Sequence, residues 1–225
     1  MSFDIANNPF GGGLIPPGKF YRELDWQIFN DATLPSWLAL SGTAGYSTTL
    51  SSVATSVGTV NFITNSAINS IIYLQLAHDI RLETFAAVDL IVDGLTFDTD
   101  DSSLISFALG IEDWTANEGM RFYQDTSNVS VMSLMHNVSS GDKTKVMNYR
   151  FVGDGNGPTM KSIGMRVIPH QRGGVLLENG ELIGSHFDPT TWVVAGTVKP
   201  LLEVKTLTAA ARTMSLSRLR VRLWS

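Results

Sequence analysis

Val175-Leu176-Leu177-Glu178-Asn179-Gly180-Glu181-Leu182-Ile183-Gly184 sets an Asn-Gly pair between two apolar arms. Both turn residues tolerate the positive φ of a two-residue type I′ turn, whose twist matches that of paired strands. The stretch predicts a β-hairpin. Working outward, the same period-two alternation recurs between turn residues. Upstream, residues 161–168 place Ile163, Met165 and Val167 on one face. Downstream come a strand over 198–207 and a closing strand over 215–224. The closing strand turns Leu219, Val221 and Leu223 one way and Arg218, Arg220 and Arg222 the other.

Further strands are expected over 71–77, 85–93 (closed by Gly94), 104–112, 120–124, 129–136 and 145–152. In 104–112, Ile105, Phe107, Leu109 and Ile111 point one way, and Ser106, Ala108 and Gly110 the other. The only helical turn expected lies at Ala209 to Arg212. About a dozen short strands without helices make an all-β sandwich or barrel. No internal repeat supports a propeller or solenoid. A chain of 225 residues suits one such domain, here residues 21–225.

Residues 1–20 differ from this pattern. Gly11-Gly12-Gly13 and Pro16-Pro17 break regular structure, while Phe3, Ile5, Phe10, Leu14 and Ile15 are apolar. An extended N-terminal arm is expected, lying either on its own domain or on a neighbouring subunit. In the second case those five apolar residues form a subunit interface. The stripe Arg218, Arg220, Arg222 would hinder unwanted pairing on an edge strand; on an inner strand it meets either a neighbouring subunit or acids of an adjacent strand such as Glu203.

Composition excludes several function classes. A net charge of −5 argues against a nucleic-acid partner. No window approaches a membrane span, and the N-terminus lacks the basic start and apolar run of a signal peptide. The absence of cysteine rules out disulfides and thiolate metal sites. Cytosolic synthesis and folding are expected, so the sequons at Asn128 and Asn137 are read as chance.

Catalytic signatures are missing too. Glu112 and Asp113 are adjacent, so an extended strand sends them to opposite faces. Asp89 and Asp93 share a face but stand roughly 13 Å apart along the strand, too far for a glycosidase acid pair. Asp98, Asp100 and Asp101 read as a solvated acidic turn without the ligand spacing of a calcium loop. Asp154 and Asn156 read as turn residues. His186 and Asp188 lack a third metal ligand, and no nucleophile elbow, zinc helix or phosphate loop occurs. No cofactor, metal or catalytic residue is expected. The best binding candidate is the polar loop after the 104–112 strand. There Trp114 offers a ring for sugar stacking, and Asn117 and Glu118 offer hydrogen bonds to hydroxyls. Against it stands the simpler reading that Trp114 covers the end of the core.

The order of the last third, "SIGMRVIP", then "GVLLENGELIG", "DPTTWVV", "KPLLEVKTL" and "RTMSLSRLRVRLW", resembles the concanavalin A-like, laminin-G-like jelly roll. That resemblance implies two stacked antiparallel sheets, with the start of the chain pairing near its end, over about residues 21–224. The apolar, glycine-rich arm on a cysteine-free, Ser/Thr-rich sandwich also resembles bacteriophage virion proteins. This implies a non-enzymatic decoration, tail or fibre subunit, made in the host cytoplasm. Its implied partners are other virion subunits, in a homo-oligomer, and host surface glycans. A stand-alone carbohydrate-binding module and a polysaccharide-degrading enzyme are the alternatives.

Overall fold

The computed structural model describes residues 20–28, 33–51, 58–99, 101, 103–113, 118–124, 130–135, 143–147, 149, 161–188 and 197–225. Two antiparallel sheets stack face to face as an all-β jelly-roll sandwich.

The first sheet is built on β7 (Ala87–Phe97). On one side β7 pairs with β12 (Lys161–Ile168), followed by β13 (Gly173–Glu178) and β14 (Glu181–Phe187). On its other side β7 has two successive neighbours. Its first half pairs with β17 (Arg218–Trp224), which carries β1 (Phe20–Gln27). Its second half pairs with β16 (Thr213–Leu216), followed by β4 (Thr59–Ile63) and β3 (Ser47–Ser51). The second sheet runs β11 (Lys143–Met147), β10 (Ser130–Met135), β9 (Glu118–Gln124), β8 (Ile105–Asp113), β15 (Thr197–Thr206), β5 (Ile71–Leu76) and β2 (Leu38–Gly42). The short β6 (Ile80–Arg81) adds to β15.

The core fills the space between the sheets with the residues that alternation turns inward. From the first sheet come Val88, Leu90, Val92, Ile163, Met165, Val167, Leu219 and Val221. Ile72, Leu74, Ile105, Phe107, Leu109, Ile111, Phe122 and Leu202 meet them from the second. Each such side chain stabilises the fold by about 1.5–3 kcal/mol relative to exposure.

Three local expectations hold and three change. Asn179 (φ 50) and Gly180 (φ 88) form the tight turn between β13 and β14. The chain's first described strand pairs with its last, Trp26 opposite Leu219. The 71–77 strand is an inner one, between β15 and β2. By contrast, Gly94 does not close its strand. With φ 65 it bends β7, and Ser217 packs where its Cβ would stand. Ser217 donates from N and Oγ to Asp93 O, each at 3.0 Å, and accepts from Ile28 N at 3.0 Å. The expected closing strand therefore breaks at Ser217 into β16 and β17, which flank different halves of β7. Residues 209–212 form no helical turn: the bend over 207–210 is followed by two irregular residues that lead into β16.

Candidate functional site

The two outer faces of the sandwich differ in kind. On the first sheet the register lines up Glu23, Arg222, Asp89 and Arg166 across four adjacent strands, with alternating charge. Arg222 Nε donates to Glu23 at 2.6 Å, and Arg166 donates twice to Asp89, at 2.5 and 2.8 Å. Arg220 reaches Asp93 at 2.6 Å, and Arg218 grips Asp25 through two hydrogen bonds. Trp224 Nε1 donates to Asp89 at 2.7 Å, and the Arg166 guanidinium lies 5.0 Å from the Trp224 ring centre. Asp89 and the Arg220 side chain are fully buried.

This arrangement supports the ion-pair reading of the arginine stripe: Arg218, Arg220 and Arg222 are held by acids of their own chain. The acids come from β1 and β7, and the expected partner Glu203 is corrected: it lies in the other sheet. In this cluster the four acids Glu23, Asp25, Asp89 and Asp93 balance the four arginines.

The second sheet carries a groove of about 690 Å³ on its outer face, lined by residues of β2, β5, β8, β9 and β15. Alternation turns Tyr73 and Gln75 of β5, Glu112 of β8, Arg121 of β9, and Lys199, Leu201, Glu203 and Lys205 of β15 to this side. Arg121 organises the centre. It donates to Glu203 Oε2 at 2.6 Å, and its Nη1 lies 3.5 Å from Glu112 Oε1. Arg121 and Glu203 stand on strands separated by β8, so the guanidinium has to cross that strand. Ala108 and Gly110 are the small residues that β8 presents there. Glu112 folds back over Gly110, where an added Cβ would lie 2.7 Å from its Oε1.

Burial alone would lower the pKa of the Arg121 guanidinium, but Glu112 and then Glu203 raise it above its ordinary value. Burial, and next the charge of Glu203, push the Tyr73 phenol upward, so it stays protonated as a donor. Tyr73 sits opposite Glu203 in the strand register, and Gln75 opposite Leu201. An aromatic ring, an amide and locked charges on one face can stack on a sugar ring and bond its hydroxyls.

The residues singled out in the sequence map unevenly onto this site. Glu118 opens β9 on the same face as Met120 and Phe122, pointing into the sandwich, and is 2% exposed. It therefore stands on the core side of β9, away from the groove. Trp114 and Asn117 lie outside the described residues, as do Phe3, Ile5, Phe10, Leu14 and Ile15. Tyr73, Gln75, Arg121 and Glu203 were missed as site residues. Arg121 and Glu203 carried a faint signal, since each is a charge set among apolar neighbours in a strand. Among the described residues no group of three or more His, Asp or Glu side chains is placed to hold a metal ion.

No protein-family model matches the sequence, and comparison with curated proteins finds no match. Solved structures match at the level of fold. The metal-free carbohydrate recognition domain of Emp46p is 8% identical, with a TM-score of 0.53, over 83% of this chain and 88% of that one. A protein of unknown function, SO2946 from Shewanella oneidensis MR-1, is 9% identical with a TM-score of 0.58, over 90% and 86%. The binding domain of botulinum neurotoxin DC, solved with rat synaptotagmin II, is 10% identical with a TM-score of 0.54. There the likeness spans 82% of this chain but 43% of the other. The chain thus has a two-sheet jelly-roll sandwich of the kind found in lectin-like binding domains.

Proposed function

We propose that the protein is a non-enzymatic, glycan-binding sandwich that serves as a structural subunit of a bacteriophage particle. The observation that carries the glycan half is the groove on the second sheet, where Tyr73 and Gln75 flank the charge cluster Glu112–Arg121–Glu203. Arg121 fixes Glu203 in advance, so little ordering cost remains when sugar hydroxyls bind its carboxylate, while the buried Glu112 acts only by holding Arg121. The fold likeness to a carbohydrate recognition domain supports the same reading. The virion half rests on the sequence, on an apolar, glycine-rich arm joined to a cysteine-free sandwich. Individually weak sites would gain avidity from many copies on one particle.

The test uses the isolated full chain on a glycan array. Binding is expected, and Tyr73→Ala should weaken it about tenfold, which is about 1.4 kcal/mol. An unoccupied array, with the fold confirmed by circular dichroism, removes the glycan reading. For the virion half, the protein should co-purify with particles, and loss of residues 1–20 should abolish incorporation.

One observation favours a second reading, a polysaccharide-cleaving enzyme: Glu112 and Glu203 converge on one point of a groove. It is the weaker reading because the Arg121 guanidinium occupies the space between them, where a scissile bond would have to sit. Release of reducing ends from a polysaccharide, lost in Glu203→Gln, would reverse that ranking.

A further inference from the structure

We infer that the groove takes a sugar bearing a carboxylate, with its ring on Tyr73 and its carboxylate on the Lys205 ammonium. The inference rests on the glycan reading above and adds the class of sugar.

Three cations line the groove, and they differ in how far they are already used. Arg121 is held between Glu112 and Glu203, and Lys199 lies 3.3 Å from Asp79. Lys205 has no acidic partner among the described residues. Its nearest acid along the strand, Glu203, is engaged by Arg121 at 2.6 Å. Lys205 sits opposite Ile71, and Glu203 opposite Tyr73, so Lys205 and Tyr73 are diagonal neighbours on one face. Such neighbours stand about 7–8 Å apart at the backbone, within reach of long side chains. A ring stacked on Tyr73 would therefore bring a substituent carboxylate to the ammonium.

The charge pattern along the groove gives the sugar a direction. The Asp79 and Asp113 end adjoins Lys199, six residues from Lys205, which is about 20 Å of strand, while Glu112 folds back to the central Arg121. That separation exceeds two Debye lengths at physiological ionic strength, roughly 8 Å each. The Lys205 end is thus screened from those two acids, and its near neighbour Glu203 is already paired with Arg121. A charge-assisted contact here would be stronger than a neutral hydrogen bond and would weaken with salt.

The test titrates the full chain by calorimetry at physiological ionic strength with two pairs of probes. One pair is sialyllactose and lactose; the other is trigalacturonate and its neutral methyl ester. The acidic member of at least one pair should bind about tenfold more tightly than its neutral partner, which is about 1.4 kcal/mol. Which pair responds tells a sialic-acid source from a uronic-acid source. Lys205→Gln should erase the preference and Lys205→Arg should keep it, which separates lost charge from lost fold. Equal affinity within both pairs, or a preference that survives Lys205→Gln, overturns the inference and leaves the glycan reading standing. Failure of every sugar to bind overturns both.

Discussion

Asp89 and Arg166 show how a single residue can govern the first sheet. Both are buried, and Asp89 also accepts from Trp224, so removing the cation would strand a carboxylate away from water. Arg166→Met should destabilise the protein by about 3–5 kcal/mol, the range for breaking a buried ion pair from one side. Urea denaturation should show a lower midpoint with an unchanged slope. Asp89→Leu combined with Arg166→Met should cost less than the sum of the single changes, because no orphaned charge remains. His186 gives a residue-scale prediction in pH. Burial first, and then Lys145, lower its pKa, while Met132 O at 3.2 Å and Asp188 oppose the shift. The folded state therefore binds this proton less readily than the unfolded chain. The associated stability is intact above the ordinary histidine value of about 6.5 and is lost as pH falls through the lowered folded value. His186→Gln should remove that part of the acid limb in a stability-versus-pH profile.

At the scale of elements, the β13–β14 hairpin carries its information locally. Asn179 adopts φ 50, and its Oδ1 accepts from Ser162 N at 3.0 Å. Asn179→Ala should cost about 1–2 kcal/mol, since an ordinary side chain resists the left-handed region, and the melting temperature should fall. This turn was legible because two neighbouring residues determine it. The inward faces of β8, β12 and β17 were legible for a related reason, since alternation needs only one strand at a time. The pairing of Arg121 with Glu203 was not, because it joins residues 82 positions apart across an intervening strand. Strand alternation says which face Glu203 takes but not which arginine crosses to meet it. The same blindness hid the break at Ser217, which depends on Gly94 of a distant strand. The burial of Glu118 was not legible because a polar residue beside a loop reads as exposed, whereas β9 begins at that residue and turns it inward.

At the scale of the whole molecule, both sheets contribute to one core but their outer faces divide the labour. The face with the arginine stripe is closed by its own ion pairs. The face with the groove keeps an aromatic side chain and an ammonium available. Along one side the sandwich is drawn together by contacts between sheets: Lys145 Nζ donates to Ser185 O at 2.7 Å, and Gly184 packs against Met147. The β1–β17 pairing carries a further consequence. Because Phe20 stands opposite Trp224, the two described ends leave the domain side by side. Linking those ends with a short spacer and reopening the backbone between Asn179 and Gly180 should yield a circular permutant with the same architecture. Such a rearranged chain would display its new termini at the far tip of a hairpin, giving an attachment point for a fluorophore remote from the original junction.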